Sequence, residues 1–133
     1  MIVLDTHALI WWVNGNGSLS PNAKAVIEEE VSAENGVVLV SSISAWEIAM
    51  LVGADRLALT MDVDDWLEVA ATIESVRFVP VDNHVAIEST RLPGTFHKDP
   101  ADRMIVALAR HLNIALVTAD AKIRSYKHVR SIW

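Results

Sequence analysis

Short apolar runs alternate with amphipathic segments along the whole chain, and that alternation restricts the fold more than any other feature. Residues 1–5 (MIVLD), 37–40 (VVLV), 77–81 and 114–118 read as strands, with 129–133 as a candidate fifth. The runs are continuously apolar, as strands covered on both faces are. Helices fill the gaps. Thr6 can cap one carrying HALIWWVN, which NGNGS ends. Ser20-Pro21 supplies a cap and an N1 proline for a second, with Ala23, Val26, Ile27 and Val31 on one face. Ser44-Ala45-Trp46-Glu47 starts a third, running to about Gly53 with Ile48, Ala49 and Val52 inward. Val63, Trp66, Leu67 and Ala70 mark a fourth, and 83–92 a fifth. Asp99-Pro100 opens another, with Met104, Ile105, Leu108 and Leu112 on its apolar side, and a short helix lies near 120–126. Such a succession implies parallel strands joined by right-handed crossovers. The expected fold is an α/β three-layer domain, a central, mostly parallel sheet of four to five strands flanked by helices.

A chain of 133 residues is expected to form one domain, 1–133. It contains no cysteine, which removes thiol nucleophiles, disulfides and thiolate metal sites and fits a cytoplasmic setting. No apolar run approaches the ~20 residues of a membrane helix, and the N-terminus reads as no signal peptide. The net charge of −6 is unevenly placed. Residues 1–96 hold 4 Lys/Arg against 14 Asp/Glu, whereas residues 97–133 hold 7 against 3. That basic C-terminal stretch is either a phosphate-binding surface or simply a solvated face.

In parallel α/β sheets, ligands bind beyond the carboxyl ends of the strands. Four acids stand at comparable places there: Asp5 after the first strand, Glu47 in the turn after the second, Asp102 in the first turn of a late helix, and Asp120 after the fourth strand. Carboxylates that converge repel one another, and Mg²⁺ or Mn²⁺ relieves that repulsion through hard oxygen ligands. Each acid also has a purely structural explanation. Ser44-x-x-Glu47 fits a capping box, Asp99-Pro100-Ala101-Asp102 fits a helix start, and Asp5 and Asp120 could simply end strands.

The ordered motifs Asp5-Thr6-His7, Ser42-x-Ser44-x-Trp46-Glu47, His97-Lys98-Asp99-Pro100-Ala101-Asp102-Arg103 and Val117-Thr118-Ala119-Asp120 resemble the PIN-domain nucleases. Within that family the likeness is greatest to the toxin component of VapBC toxin–antitoxin modules, and it spans essentially the full chain. The resemblance implies a PIN fold, Mg²⁺ or Mn²⁺ dependence, endoribonuclease activity, homodimerisation and inhibition by a cognate VapB-like antitoxin. It implies Asp5, Glu47, Asp102 and Asp120 as the metal-binding, catalytic acids. Thr118 matches the hydroxyl residue that steadies the first aspartate.

Other residues stay open at this level. Asp99 is either a helix cap or a fifth acid, and Arg103 pairs with RNA phosphate or with an acidic neighbour. His97 and Lys98 could meet phosphate, while His7 reads as helix surface. Of the five tryptophans, Trp12 and Trp46 are the candidates for exposure, and an exposed apolar groove would suit dimerisation or an antitoxin helix. Two other functions compete: a PIN-like scaffold that binds RNA or protein without cutting, and an aspartate-based phosphoryl-transfer or receiver domain. The second expects acid or lysine positions that His7 and Lys122 do not fill.

Overall fold

The computed structural model describes residues 1–133. In chain order the elements are β1 (Ile2–Leu4), α1 (Thr6–Asn14), α2 (Pro21–Ser32), β2 (Val38–Ser41), α3 (Ser42–Gly53), α4 (Val63–Ala71), β3 (Val76–Val79), α5 (Asn83–Ser89), α6 (Pro100–Leu112), β4 (Ala115–Val117), α7 (Ala121–Arg124) and β5 (Ser131–Ile132). The five strands form one sheet in the order β3-β2-β1-β4-β5. Every pairing is parallel. The expected architecture is therefore present, including the fifth strand.

Side chains alternate across a strand, so each short apolar run feeds two cores. Ile2 and Leu4 of β1 join Val38, Val40 and Val76 on one face, beneath Leu9 of α1, Ile27 of α2, Ile48 of α3 and Trp66 of α4. Val3, Leu39 and Leu116 face the other way, onto Ile105, Val106 and Leu108 of α6, Val85 of α5 and Ile123 of α7. No helix is long and apolar enough to cross a membrane.

The order 3-2-1-4-5 places a topological switch point between β1 and β4, where crossovers leave the sheet in opposite directions. Leu4 pairs with Val117 in register, so Asp5 and Thr118 leave the sheet side by side. The turn before β2 is equally constrained. A Cβ at Gly36 would lie 1.7 Å from the Glu30 carbonyl oxygen, so only glycine fits there.

Several local expectations shift. Asp5, not Thr6, is the N-cap of α1, and Thr6 is its first helical residue. Helix α3 begins at Ser42 with Ser41 as its cap, placing Ser44 and Glu47 inside it, so no capping box forms. Ala49 is exposed rather than inward, and so is Leu112, at 38%. At the end of α6 the chain turns into the left-handed region at Asn113 (φ 53°), leaving the last turn beyond the sheet. Among the tryptophans, Trp66 is buried; Trp11, Trp12 and Trp133 pack partly covered against the first core; Trp46 is half exposed.

These placements separate two leucines one turn apart on α6. Leu108→Ala is expected to cost about 3 kcal/mol, and Leu112→Ala under about 1 kcal/mol, read as shifts in urea unfolding midpoint.

Candidate metal centre

At the carboxyl ends of β1 and β4 lies a cavity of about 420 Å³, lined by Asp5, Thr6, His7, Trp11, Glu47, Asp99, Asp102, Ala119 and Asp120. The structure thus brings all four acids singled out by sequence, together with Asp99, to one place. Each is positioned by the local folding of its own segment.

Asp5 is 7% exposed and uses both carboxylate oxygens. Oδ1 accepts from the Ala8 amide at 2.9 Å, capping α1, while Oδ2 accepts from the Thr118 hydroxyl. Thr118 is fully buried, and its Oγ1 accepts from the Asp120 amide at 3.0 Å. A single hydroxyl therefore ties the ends of two neighbouring strands. Asp120 in turn caps α7, accepting from the Lys122 and Ile123 amides at 2.8 and 3.1 Å.

Glu47 approaches from α3 and accepts from the Thr6 hydroxyl. Thr6 and Ser44 also share a bond of 2.9 Å between their hydroxyls. Asp99 caps α6 by accepting from the Asp102 amide at 3.0 Å. That leaves the Asp102 carboxyl facing the cavity. His97 Nε2 lies 3.0 Å from Asp102 Oδ2, yet makes no hydrogen bond with it and is a buried nitrogen lacking any other partner.

The electrostatics record the convergence. Asp102 is pushed up to about 7, first by burial and then by the charges of Asp99, Asp120, Glu47 and Asp5. Burial also raises Asp5, against the Thr118 and Ala8 hydrogen bonds that lower it, and Asp120 adds to the rise. Glu47 is raised by burial and by Asp99, partly offset by Thr6 and His7.

A PIN-domain family model matches residues 2–129. The chain belongs to the PIN-domain family. This PIN domain is 36% identical over 131 residues to ribonuclease VapC22 of Mycobacterium tuberculosis, a match covering 98% of this chain and 95% of that relative. Among solved structures, VapBC2 from Rickettsia felis bound to a promoter DNA fragment superposes with a TM-score of 0.69 at 16% identity, covering 99% of this chain and 98% of that one. VapC20 of Mycobacterium tuberculosis, described as a toxin cleaving the sarcin-ricin loop, gives 0.60 at 18% identity, covering 98% of this chain and 99% of that one. Both structural likenesses are likenesses of fold.

Thr6, the hydrogen-bond partner of Glu47, lines the PIN domain's cavity with Trp11 and Ala119 and was given no place there by sequence, whereas His97, named from sequence only as a candidate phosphate contact, lies just outside the cavity as the neighbour of Asp102. His97 stands two residues before the Asp99-Pro100 helix start, and no ligand-like histidine pairing marked it as a partner of the acids. His7 is exposed and lines the cavity, with its ring 5.6 Å from that of Trp11. Arg103 forms no ion pair. It donates to the carbonyls of Ser89, Phe96 and His97, fixing the loop before α6.

The raised acids make stability depend on pH in a defined direction. With metal chelated, the folded state binds protons more tightly than the unfolded chain between the ordinary aspartate value of 3.8 and the Asp102 value of about 7. Stability is then fullest at the acid end of that window and falls as pH rises through it. Thermal melting in a chelator should show this decline, and Asp102→Asn should flatten it.

Proposed function

We propose that this chain is a divalent-metal-dependent endoribonuclease of the toxin–antitoxin type, cutting RNA phosphodiester bonds with the cavity acids and neutralised by a cognate VapB-like antitoxin. The single observation that carries the reading is the gathering of Asp5, Glu47, Asp102 and Asp120 in one cavity, with Asp102 raised to about 7 by burial first and then by its acidic neighbours. Kinship with a ribonuclease at 36% identity supports the RNA substrate. Its structural relatives include complexes described as toxin–antitoxin assemblies, which supports the antitoxin partner.

The donor set fits a hard divalent cation: it is dominated by carboxylate oxygens, and the chain has no thiolate to favour a softer metal. Ligand atoms of His97, Asp102 and Asp120 lie within 4.8 Å of one another, and Asp5 and Glu47 line the same cavity as the two aspartates. Asp5, Glu47, Asp102 and Asp120 would hold Mg²⁺ or Mn²⁺. When bound, such an ion supplies charge that acidifies water and offsets the charge of the phosphate.

The chain's own residues set the geometry of this chemistry. Thr118 and the Ala8 amide fix both oxygens of Asp5. Thr6 orients Glu47 from the adjacent helix, and the α7 amides hold one oxygen of Asp120. Such outer partners keep ligands aimed at one point despite their repulsion. No side chain need act as a covalent nucleophile. The half-exposed Trp46, with Met50 and Leu51, borders a groove that also reaches Glu47 and Asp99. An antitoxin helix laid there would bring a basic tail to the acids. The chain works as one domain and as a homodimer in this reading.

RNA cleavage with Mg²⁺ or Mn²⁺ should cease with EDTA. Asp5→Asn should lower it more than about a hundredfold while the circular dichroism spectrum is kept, and Thr118→Val should lower it by roughly tenfold to a hundredfold. Undiminished cleavage by Asp5→Asn rejects the site assignment.

A further inference from the structure

Beside the acid cavity lies a second and larger cleft of opposite character. Its volume is about 650 Å³, and its lining includes Lys98, Lys122, Lys127, His97 and His128 with no Asp or Glu. In a chain of net charge −6 that segregation is unusual. None of the three lysines takes part in an ion pair. They are exposed cations without a protein counter-charge.

The cleft is built rather than incidental. Arg103 holds the carbonyls of Phe96 and His97 on one wall. The Tyr126 hydroxyl donates to the Pro93 carbonyl at 2.5 Å and ties that wall to the opposite one. Phe96 and Tyr126 pack with ring centroids 4.7 Å apart, and Tyr126 meets His128 at 5.4 Å. Gly94 adopts φ +66°, a conformation that an L side chain rarely takes.

The cleft also adjoins the acids directly. His97 contributes to its lining while its Nε2 contacts Asp102, Lys98 immediately precedes Asp99, and Lys122 follows Asp120 by two residues. A polymer lying across both sites would meet cations in one and metal-binding acids in the other.

We propose that this cleft binds the phosphates of a single RNA strand flanking the bond to be cut, with Lys98, Lys122 and Lys127 as its phosphate contacts. The inference rests on the nuclease reading above and adds where the substrate strand runs. The acid cavity repels phosphates until metal is bound, so the lysines supply the attraction that docks the strand. Backbone contacts of this kind bind without reading sequence.

The test compares the wild type, a Lys98→Gln/Lys122→Gln/Lys127→Gln variant, and a control losing the same charge elsewhere, Lys24→Gln/Arg77→Gln/Arg91→Gln. Binding of a labelled single-stranded oligoribonucleotide is followed by fluorescence anisotropy in a chelator over a range of salt, and cleavage is assayed separately with Mn²⁺. The cleft variant should bind at least about tenfold more weakly, with a log K against log salt slope shallower by about 2. Its cleavage should fall through KM. The control should stay within about twofold of the wild type. Unchanged RNA affinity and slope in the cleft variant, while the wild type still cuts RNA, overturns the cleft and leaves the nuclease reading standing. Loss of binding to a poly-glutamate peptide with RNA affinity kept overturns it in favour of an acidic protein segment. A wild type that neither cuts nor binds RNA removes the nuclease reading itself.

Discussion

Five carboxyl groups share one cavity, and the rest of the structure can be understood through what holds them there. Their mutual repulsion is visible in Asp102, whose carboxyl is pushed up to about 7 by burial and by the neighbouring acids. Opposing it is a set of hydrogen bonds from groups that the fold needs in any case. Asp5, Asp99 and Asp120 each cap a helix through one oxygen. The capping and chemical explanations of these acids, which look like rivals in the sequence, therefore coincide. A cap fixes the side chain at the mouth of a helix and leaves the second oxygen to another partner, as at Asp5, or to the cavity.

The sheet makes this possible by putting β1 beside β4. Three short strands at its centre are covered on both faces, so their ends are rigid platforms rather than mobile tips. From the platform of β1 and β4 come Asp5, Thr118 and Asp120; α3 and α6 bring Glu47 and Asp102 across the gap. The Thr118 hydroxyl joins the two strand ends, donating to Asp5 and accepting from the Asp120 amide, so this buried group is satisfied as both donor and acceptor. Where the acids end, the lysines begin. The acid cavity and the basic cleft meet at His97 and Lys98, which gives the surface a direction along which a charged polymer can lie.

Much of this was legible in the residues. The strands announce themselves because burial on both faces forces uninterrupted Val, Ile and Leu, and the parallel order follows from the helices between them. Asp5 and Asp120 could be found because they close such runs. Glu47 and Asp102 were harder, since Ser44-x-x-Glu47 imitates a capping box. Only the tertiary approach of Thr6 shows what engages the glutamate. Leu112 escapes periodicity because it closes the last turn of α6, and Ala49 because the buried face of α3 is the narrow one carrying Ser44 and Ile48. His97 and the cleft walls depend on loop geometry set by Arg103 and Tyr126, which have no periodic signature. The charge asymmetry of residues 97–133 pointed to the region but not to the groove.

Everything in this chemistry requires that the cavity acids form one cation-binding centre. Anomalous diffraction from a crystal soaked in Mn²⁺ tests it directly. Manganese is expected in the cavity, within about 2–2.5 Å of carboxylate oxygens from Asp5 and Asp102, with Glu47 or Asp120 completing the shell. Manganese bound only elsewhere, or an Asp5 carboxylate turned away from an ion in the cavity, would contradict it.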